Sequence, residues 1–520
     1  MKMLGGVTTG LGVMLALFIN QDAVGQPKQG GTLTVPIITQ TFVEDFNPYS
    51  GAQGDLVTGT MFEPLWVLNT LKGEIDWRLA EGFEYGDELR SISIRLKDGL
   101  TWSDGEALDS ADLAFSLNLG KEDAKLDVTG QWGDGVFQSV EIIDAVSVKI
   151  NFAVKDGTVD WHIPRLHIVP EHLWKDVADK NTFANSNPVG SGPITEVKQV
   201  KDNQIEICRN PHYYKASEGL PYLDCIKFRQ YTDNSQIQAA LINNEIDWGS
   251  NFISDIEKTY VAPDPDNHGF WYPANDLIHI YLNTRKLPFS ELKFRQAFSM
   301  ALDRPMIVDL AAYGYPTAET HVTGLGEFVQ PYHHEQINQK YDYLAEYNPD
   351  RAMQLLDEAG FKDVDGDGFL ENPNGSPIDF EIQVVNGWTD WVQTVQMVSE
   401  YLAEVGIRAT TRTVDWSVYD AALKEGTYDA SINWSRTNGE DPIQAYRDYF
   451  YTSQQGRSWH TNHGISSEAV DRLIDEYVAI DNQARRAEIL AELMDFTAAN
   501  LAFVPLFSNA TWYQYNRTRI

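Results

Sequence analysis

The chain has 520 residues, with 40 lysines and arginines against 75 aspartates and glutamates, a formal charge of −35 at pH 7. That excess repels phosphate backbones and acidic lipid and excludes a nucleic-acid binder, while a 43% hydrophobic and 12% aromatic content excludes long-range disorder. Two cysteines exclude a disulfide scaffold or a cysteine-rich metal site, which leaves a large acidic globular chain of roughly three to four domains.

In chain order, Lys2 precedes an apolar run from Leu11 to Ile19, and Ala23-Val24-Gly25 offers small residues where a signal peptidase reads. Residues 1–25 therefore read as a secretory signal cleaved before Gln26. The run is about half the ~20 residues a membrane span needs. The mature chain is expected to be exported and free. Gly31 to Pro36 alternates like a strand, as do Ser91–Leu96 and Val146–Phe152, with Asp98-Gly99 and Asp104-Gly105 as turns. Cys208 and Cys225 sit in two strand-like runs, Gln204–Cys208 and Cys225–Phe228, and an oxidising compartment favours a bond between them over two buried thiols. Asn348-Pro349-Asp350 opens a helix with Ala352, Leu355, Leu356 and Ala359 on one face and Gly360 past its end. No repeat or low-complexity linker is visible, so the domains are expected to exchange chain segments.

Ile378 to Thr413 is the most informative stretch. Ile378–Val385 reads as a strand, Asn386-Gly387-Trp388-Thr389-Asp390 as a loop, and from Trp391 the stripe Val395, Val398, Leu402, Val405 reads as a helix that Gly406 ends. Ile407–Thr413 resumes strand character. This βαβ unit places Trp388 at the carboxyl end of a strand, where open α/β sheets bind ligands.

Phosphate loops, dinucleotide fingerprints and nucleophile elbows are absent, and His334-Glu335-Gln336-Ile337-Asn338 lacks the second histidine of a zinc motif. No enzyme chemistry is expected. Asp363, Asp365 and Asp367 stand at alternate positions like the start of a calcium loop, but the twelfth position is Asn374 rather than Glu. A polar turn is the preferred reading, with structural calcium as the alternative and no other cofactor expected.

Several motifs, taken together, resemble the periplasmic solute-binding proteins of ABC importers, in the peptide, nickel and oligosaccharide class. They are Phe62-Glu63-Pro64-Leu65; Leu96 to Glu106 with Asp112; Pro188 to Pro193; Asn210-Pro211 with Tyr213-Tyr214; Glu245 to Trp248; and Phe294 to Arg304. The resemblance implies an α/β, bilobal periplasmic-binding-protein fold of three domains, with the ligand in a cleft between domains I and III. It implies domain I at 26–65, 195–282 and 500–520, domain II at 66–194 and domain III at 283–499. A monomer in the periplasm, handing its ligand to membrane permease subunits, is the expected assembly.

Within the class the loop around Trp388 and the stretch Glu425–Asp429 resemble the chito- and cello-oligosaccharide binders, as does the cysteine pair. There the matching tryptophan stacks on a sugar ring. A pyranose has an apolar face that an indole covers and a hydroxyl rim that amides and charged groups bind. Trp388, Asn386, Asp390, Asn433, Trp434 and Arg436 are therefore candidates, with Asn234 and Trp248 weaker ones from domain I. Asp390 has a second reading as a helix cap, and Trp248 one as core. The oligosaccharide members continue past Ile520 with a second stacking tryptophan. The rival is a peptide. Peptide binders resemble one another in an Asp shortly after a Trp that pairs with the α-amino group; here Thr437 takes that place beside Arg436, although Glu440 and Asp441 follow. An unpaired ammonium is costly, so a small β-linked oligosaccharide is the expected ligand, ahead of a peptide and of a secreted glycosidase.

Overall fold

The computed structural model describes residues 28–38, 41–50, 52–53, 55–69, 72–435, 441–454 and 462–519. The expected signal segment and Arg436 lie outside the described residues.

Period-two patterning builds the first sheet from distant parts of the chain. Thr32–Ile38 runs parallel to Cys225–Tyr231, which pairs antiparallel with Gln204–Arg209, and Ile194–Lys201 closes the other edge. Val35, Ile205, Ile207 and Phe228 share its core. Cys208 and Cys225 are directly opposed in this register and joined by a disulfide, their Cα atoms 3.9 Å apart.

Residues 80–152 form an antiparallel sheet in the spatial order Ala80–Gly86, Ser91–Leu96, Ser147–Phe152, Phe137–Asp144. Its alternate residues Ile92, Ile94, Val148 and Ile150 bury against Leu113 and Leu117 of the helix Ser110–Glu122. Asp109 and Asp112 complete a capping box there. Asp112 also accepts the Trp102 indole N–H at 3.1 Å, which gives the Trp102…Asp112 motif a structural purpose.

This body is stitched to the first sheet where the chain passes between them. A Cβ on Gly190 or Gly192 would lie 2.2 Å from the Met61 carbonyl oxygen or 2.3 Å from that of Thr60, so only glycine fits. The Gly192 N–H donates to Met61 O at 2.8 Å, the Glu63 N–H to Ser191 Oγ at 3.0 Å, and Tyr213 Oη to Glu63 Oε1 at 3.0 Å.

The later lobe is a six-stranded sheet ordered Thr317–Ala318, Phe503–Ala510, Ala274–Leu282, Ala430–Ser435, Asp379–Val385, Arg408–Val414. One core lies on the side of the helices Leu292–Met300, Pro349–Glu358 and Thr389–Glu404, another on the side of Trp416–Glu425, Ile443–Phe450, Glu468–Ala479 and Gln483–Asn500. Ala274–Leu282 and Phe503–Ala510, expected in domain I, pair inside this sheet, because their buried faces on both sides need the two layers of helices. The chain thus crosses between lobes at 272–273 and 511–512, where the Thr511 N–H donates to Pro273 O at 2.8 Å. A small sheet of Trp248–Ser250, Tyr513–Asn516 and His268–Trp271 sits on the first-lobe side.

Candidate ligand-binding site

Asp379–Val385, Arg408–Val414 and Ala430–Ser435 are neighbouring parallel strands, so their carboxyl ends share one edge of the sheet. Each brings a tryptophan to that edge: Trp388, Trp416 and Trp434. Trp391 joins them from the helix. Ring centroids of Trp388 lie 5.0 Å from Trp391, 5.7 Å from Trp434 and 5.9 Å from Trp416, and Trp416 and Trp434 are near-parallel at 6.3 Å. Exposure is graded: Trp391 is buried, Trp388 and Trp434 are half-buried, and Trp416 is 45% exposed. A group anchored inside and open outside offers flat apolar area with little freedom to lose on binding.

Local backbone chemistry sets Trp388. Gly387 takes φ +88°, in the left-handed region, and turns the chain from strand to helix. The Asn386 N–H donates to Val414 O at 2.8 Å. The first lobe reaches this turn: the Asn234 N–H donates to Gly387 O at 3.3 Å, and Asn234 Nδ2 to Thr389 Oγ1 at 3.4 Å. Beside it a cavity of about 670 Å³ is lined by Asp233, Asn386, Gly387, Thr389, Gln393 and Gln396. Asn386 and Asn234 thus flank the turn that carries Trp388.

Other candidates are placed differently. The helix begins at Thr389 rather than at Trp391, because Gly387 completes the turn early, so Asp390 lies inside the first turn and Trp388 holds the cap position. Asp390 is buried, and burial pushes its carboxyl up to about 7, partly offset by the N–H groups of Trp391 and of Asp390 itself. Asn433 is fully buried; its Oδ1 accepts the Trp434 N–H at 2.9 Å, and it opposes His279 on the next strand. Alternation along the strand sends Asn433 and Trp434 to opposite faces, away from each other. Trp248 packs against Tyr513 at 5.4 Å, with Trp271 on the other side of that ring at 5.9 Å. Among the described residues no ring contact joins Trp248 to the Trp388 group.

The Asp363–Asp367 loop spends its carboxylates on its own chain. Asp363 accepts from the N–H groups of Gly366 and Gly368, Asp365 from Asp367, and Asp367 from Phe369 and the Arg408 guanidinium. Asn374 accepts from Ser376.

Sequence reasoning missed Trp416. The signal was present, since Asp415-Trp416 follows a strand at the same kind of handover that singled out Trp388. Asp441 also gains weight. It is half-buried, accepts from the Ile443 N–H at 3.0 Å and Tyr477 Oη at 2.9 Å, and burial raises its pKa, with Arg486 and Asp156 in electrostatic reach.

Comparison with known proteins gives the architecture a family. The sequence pattern of the bacterial extracellular solute-binding proteins, family 5 (middle region), matches residues 74–457. The oligopeptide-binding protein AppA of Bacillus subtilis is 25% identical over 505 residues, covering 94% of this chain and 88% of that protein. A Thermotoga maritima periplasmic oligopeptide-binding protein, solved with mannohexaose bound, superposes with a TM-score of 0.84 at 27% identity, covering 94% of this chain and 92% of that one. AppA in complex with a nonapeptide superposes with a TM-score of 0.79 at 22% identity, covering 94% and 95%. The chain belongs to family 5 of the bacterial extracellular solute-binding proteins.

Proposed function

We propose that this protein is the substrate-binding receptor of an ABC importer, working with membrane permease subunits outside the cytoplasm, and that its ligand is an oligopeptide. The observation that carries this reading is near full-length similarity to an oligopeptide-binding protein. A second set of relatives, described as ABC transporter peptide-binding proteins of Brucella, is 26% identical over 473 residues. The expectation of a sugar rested partly on a missing partner for a peptide amine, and that argument weakens. Asp441 offers a half-buried carboxylate six positions after Ser435, with Arg486, Asp156 and Asp160 in electrostatic reach. Asp441 is thus a carboxylate that could take an ammonium in place of the residue at 437.

One observation favours the oligosaccharide instead. The Thermotoga relative holds a mannohexaose, and the graded tryptophan group presents the kind of surface on which a pyranose lies. Calorimetric titration of the mature chain with a nonapeptide library, the same library N-acetylated, mannohexaose and cellobiose separates the two. The peptide reading expects saturation by the free library and a loss of at least tenfold on acetylation. Saturation by a sugar with no heat from either library overturns it.

A further inference from the structure

Residues 80–190 and the later lobe have separate cores, and among the described residues no buried apolar side chain belongs to both. What joins them there is polar, with a buried ion pair at its centre. Arg447, on the helix Ile443–Phe450, lies 3.0 Å from Asp134 and 3.9 Å from Asp156, with the three side chains 7%, 4% and 1% exposed. Asp134 also accepts from Gln454 Nε2 at 2.6 Å and Ser453 Oγ at 3.3 Å, so among the described residues one carboxylate collects three donors from across the joint. The surfaces touch closely beside it. The Gly157 N–H donates to Val478 O at 2.8 Å, and a Cβ on Gly157 would stand 3.2 Å from Leu89 and 3.5 Å from Arg486.

Such a contact has a particular energetics. With the joint shut, the guanidinium and the two carboxylates satisfy one another; with one partner deleted, the other is stranded in a dry site. With the joint open, every member regains water. The pair therefore contributes little to the fold of either lobe and acts mainly on the equilibrium between two arrangements. A ligand held between lobes is bound in proportion to the fraction of molecules that are shut.

We propose that Arg447 and Asp134 form an interlobe latch and are positioning residues for ligand capture, setting affinity without touching the ligand. Asp156 supports the latch from its own lobe, held by the N–H and hydroxyl of Thr158, each at 2.7 Å. Among the described residues, other groups facing it are Arg486, Asp160 and Asp441, in electrostatic reach of Asp156, and His162, which burial and the nearby Arg447 and Arg165 keep neutral.

The test uses the full mature chain with Arg447→Met and Asp134→Asn, singly and together, and Arg447→Lys as the conservative change. Small-angle scattering without ligand reads the separation of the lobes, and tryptophan fluorescence reads binding of mannohexaose and of a nonapeptide library. Each single variant is expected to expand the particle and weaken whichever probe binds by about tenfold or more. The double variant is expected to lose no more than the worse single, the mark of two groups acting as one, and Arg447→Lys to recover part of the loss. Circular dichroism and urea midpoints identify a variant that has merely unfolded, in which case the Asp134→Asn protein decides. Scattering identical to the parent with unchanged affinity overturns the proposal, as do single losses that simply add. If neither probe binds, unchanged scattering alone overturns it.

Discussion

The carbonyl oxygen of Thr232 stands 2.6 Å from the point a Cβ on Gly387 would occupy. Thr232 belongs to the first lobe and Gly387 to the turn that carries Trp388, so a backbone-to-backbone approach fixes how near the tryptophan group comes to the opposite lobe. A Gly387→Ala protein is expected to fold with a penalty of roughly 1 kcal/mol from the positive φ and to bind ligand at least tenfold more weakly, because the added methyl holds the lobes apart. Titration beside a urea melt checks both; intact affinity shows that this approach plays no part in capture.

The tryptophans are expected to divide by exposure. Trp416→Ala should leave the melting temperature nearly unchanged, since that ring is 45% exposed, whereas Trp391→Ala should destabilise the lobe by about 3–5 kcal/mol as a core truncation. Trp388→Ala should cost on the order of 1–3 kcal/mol of ligand affinity, as loss of a stacking surface does elsewhere. Differential scanning calorimetry with a binding isotherm separates the three.

Asp390 sets a pH dependence whose sign can be worked out. Its carboxyl is raised to about 7 from an ordinary 3.8. Between those values the folded chain keeps a proton that the unfolded chain has released, so this group's contribution to stability falls as pH rises and the full penalty stands above 7. Asp390→Asn is expected to stabilise the protein at pH 8 by about 2–4 kcal/mol and to change little at pH 4. Urea midpoints at the two pH values decide it, and an equal gain at both would mean the effect is packing.

Buried histidines act in the opposite sense. Burial lowers His279 to about 3 and His463 to about 4. The unfolded chain takes up protons below pH 6.5 that the folded chain refuses, so their contribution is present at neutral pH and is lost progressively as pH falls through 6 towards 3. Replacing His463 with Gln should flatten the acid limb of a stability–pH curve measured in urea; an unchanged limb would place the lability elsewhere.

The disulfide spans a sequence separation of 17 residues. Its loss in a Cys208→Ser, Cys225→Ser protein is expected to lower stability by about 3 kcal/mol through the freedom restored to the unfolded chain. The parent with dithiothreitol should match the double variant.

Much of this was legible in residue order because it depends on local periodicity. The βαβ unit at 378–413, the glycine that turns it and the helix opened by Asn348 follow from patterns that neighbouring residues complete by themselves. The opposed cysteines needed only two short strands. What stayed hidden depends on register or on distance. Asn433 turns inward because its strand begins at Ala430, and a shift of one residue would have sent it to the other face. Phe503–Ala510 joins a sheet whose partners lie far back in the chain, and nothing local states that pairing. Arg447 and Asp134 are 313 positions apart, and a single arginine among 40 basic residues carries no mark of a buried partner.

The stitched crossing at Met61, Gly190 and Gly192 leaves the body at 80–190 no pivot of its own. It is tied to the first sheet, and among the described residues the backbone passes between that unit and the other half at two short spans, 272–273 and 511–512. Rigid bodies on so narrow an axle have essentially one angle to vary. A change in that angle reaches the outer surface of each half as a change in their separation.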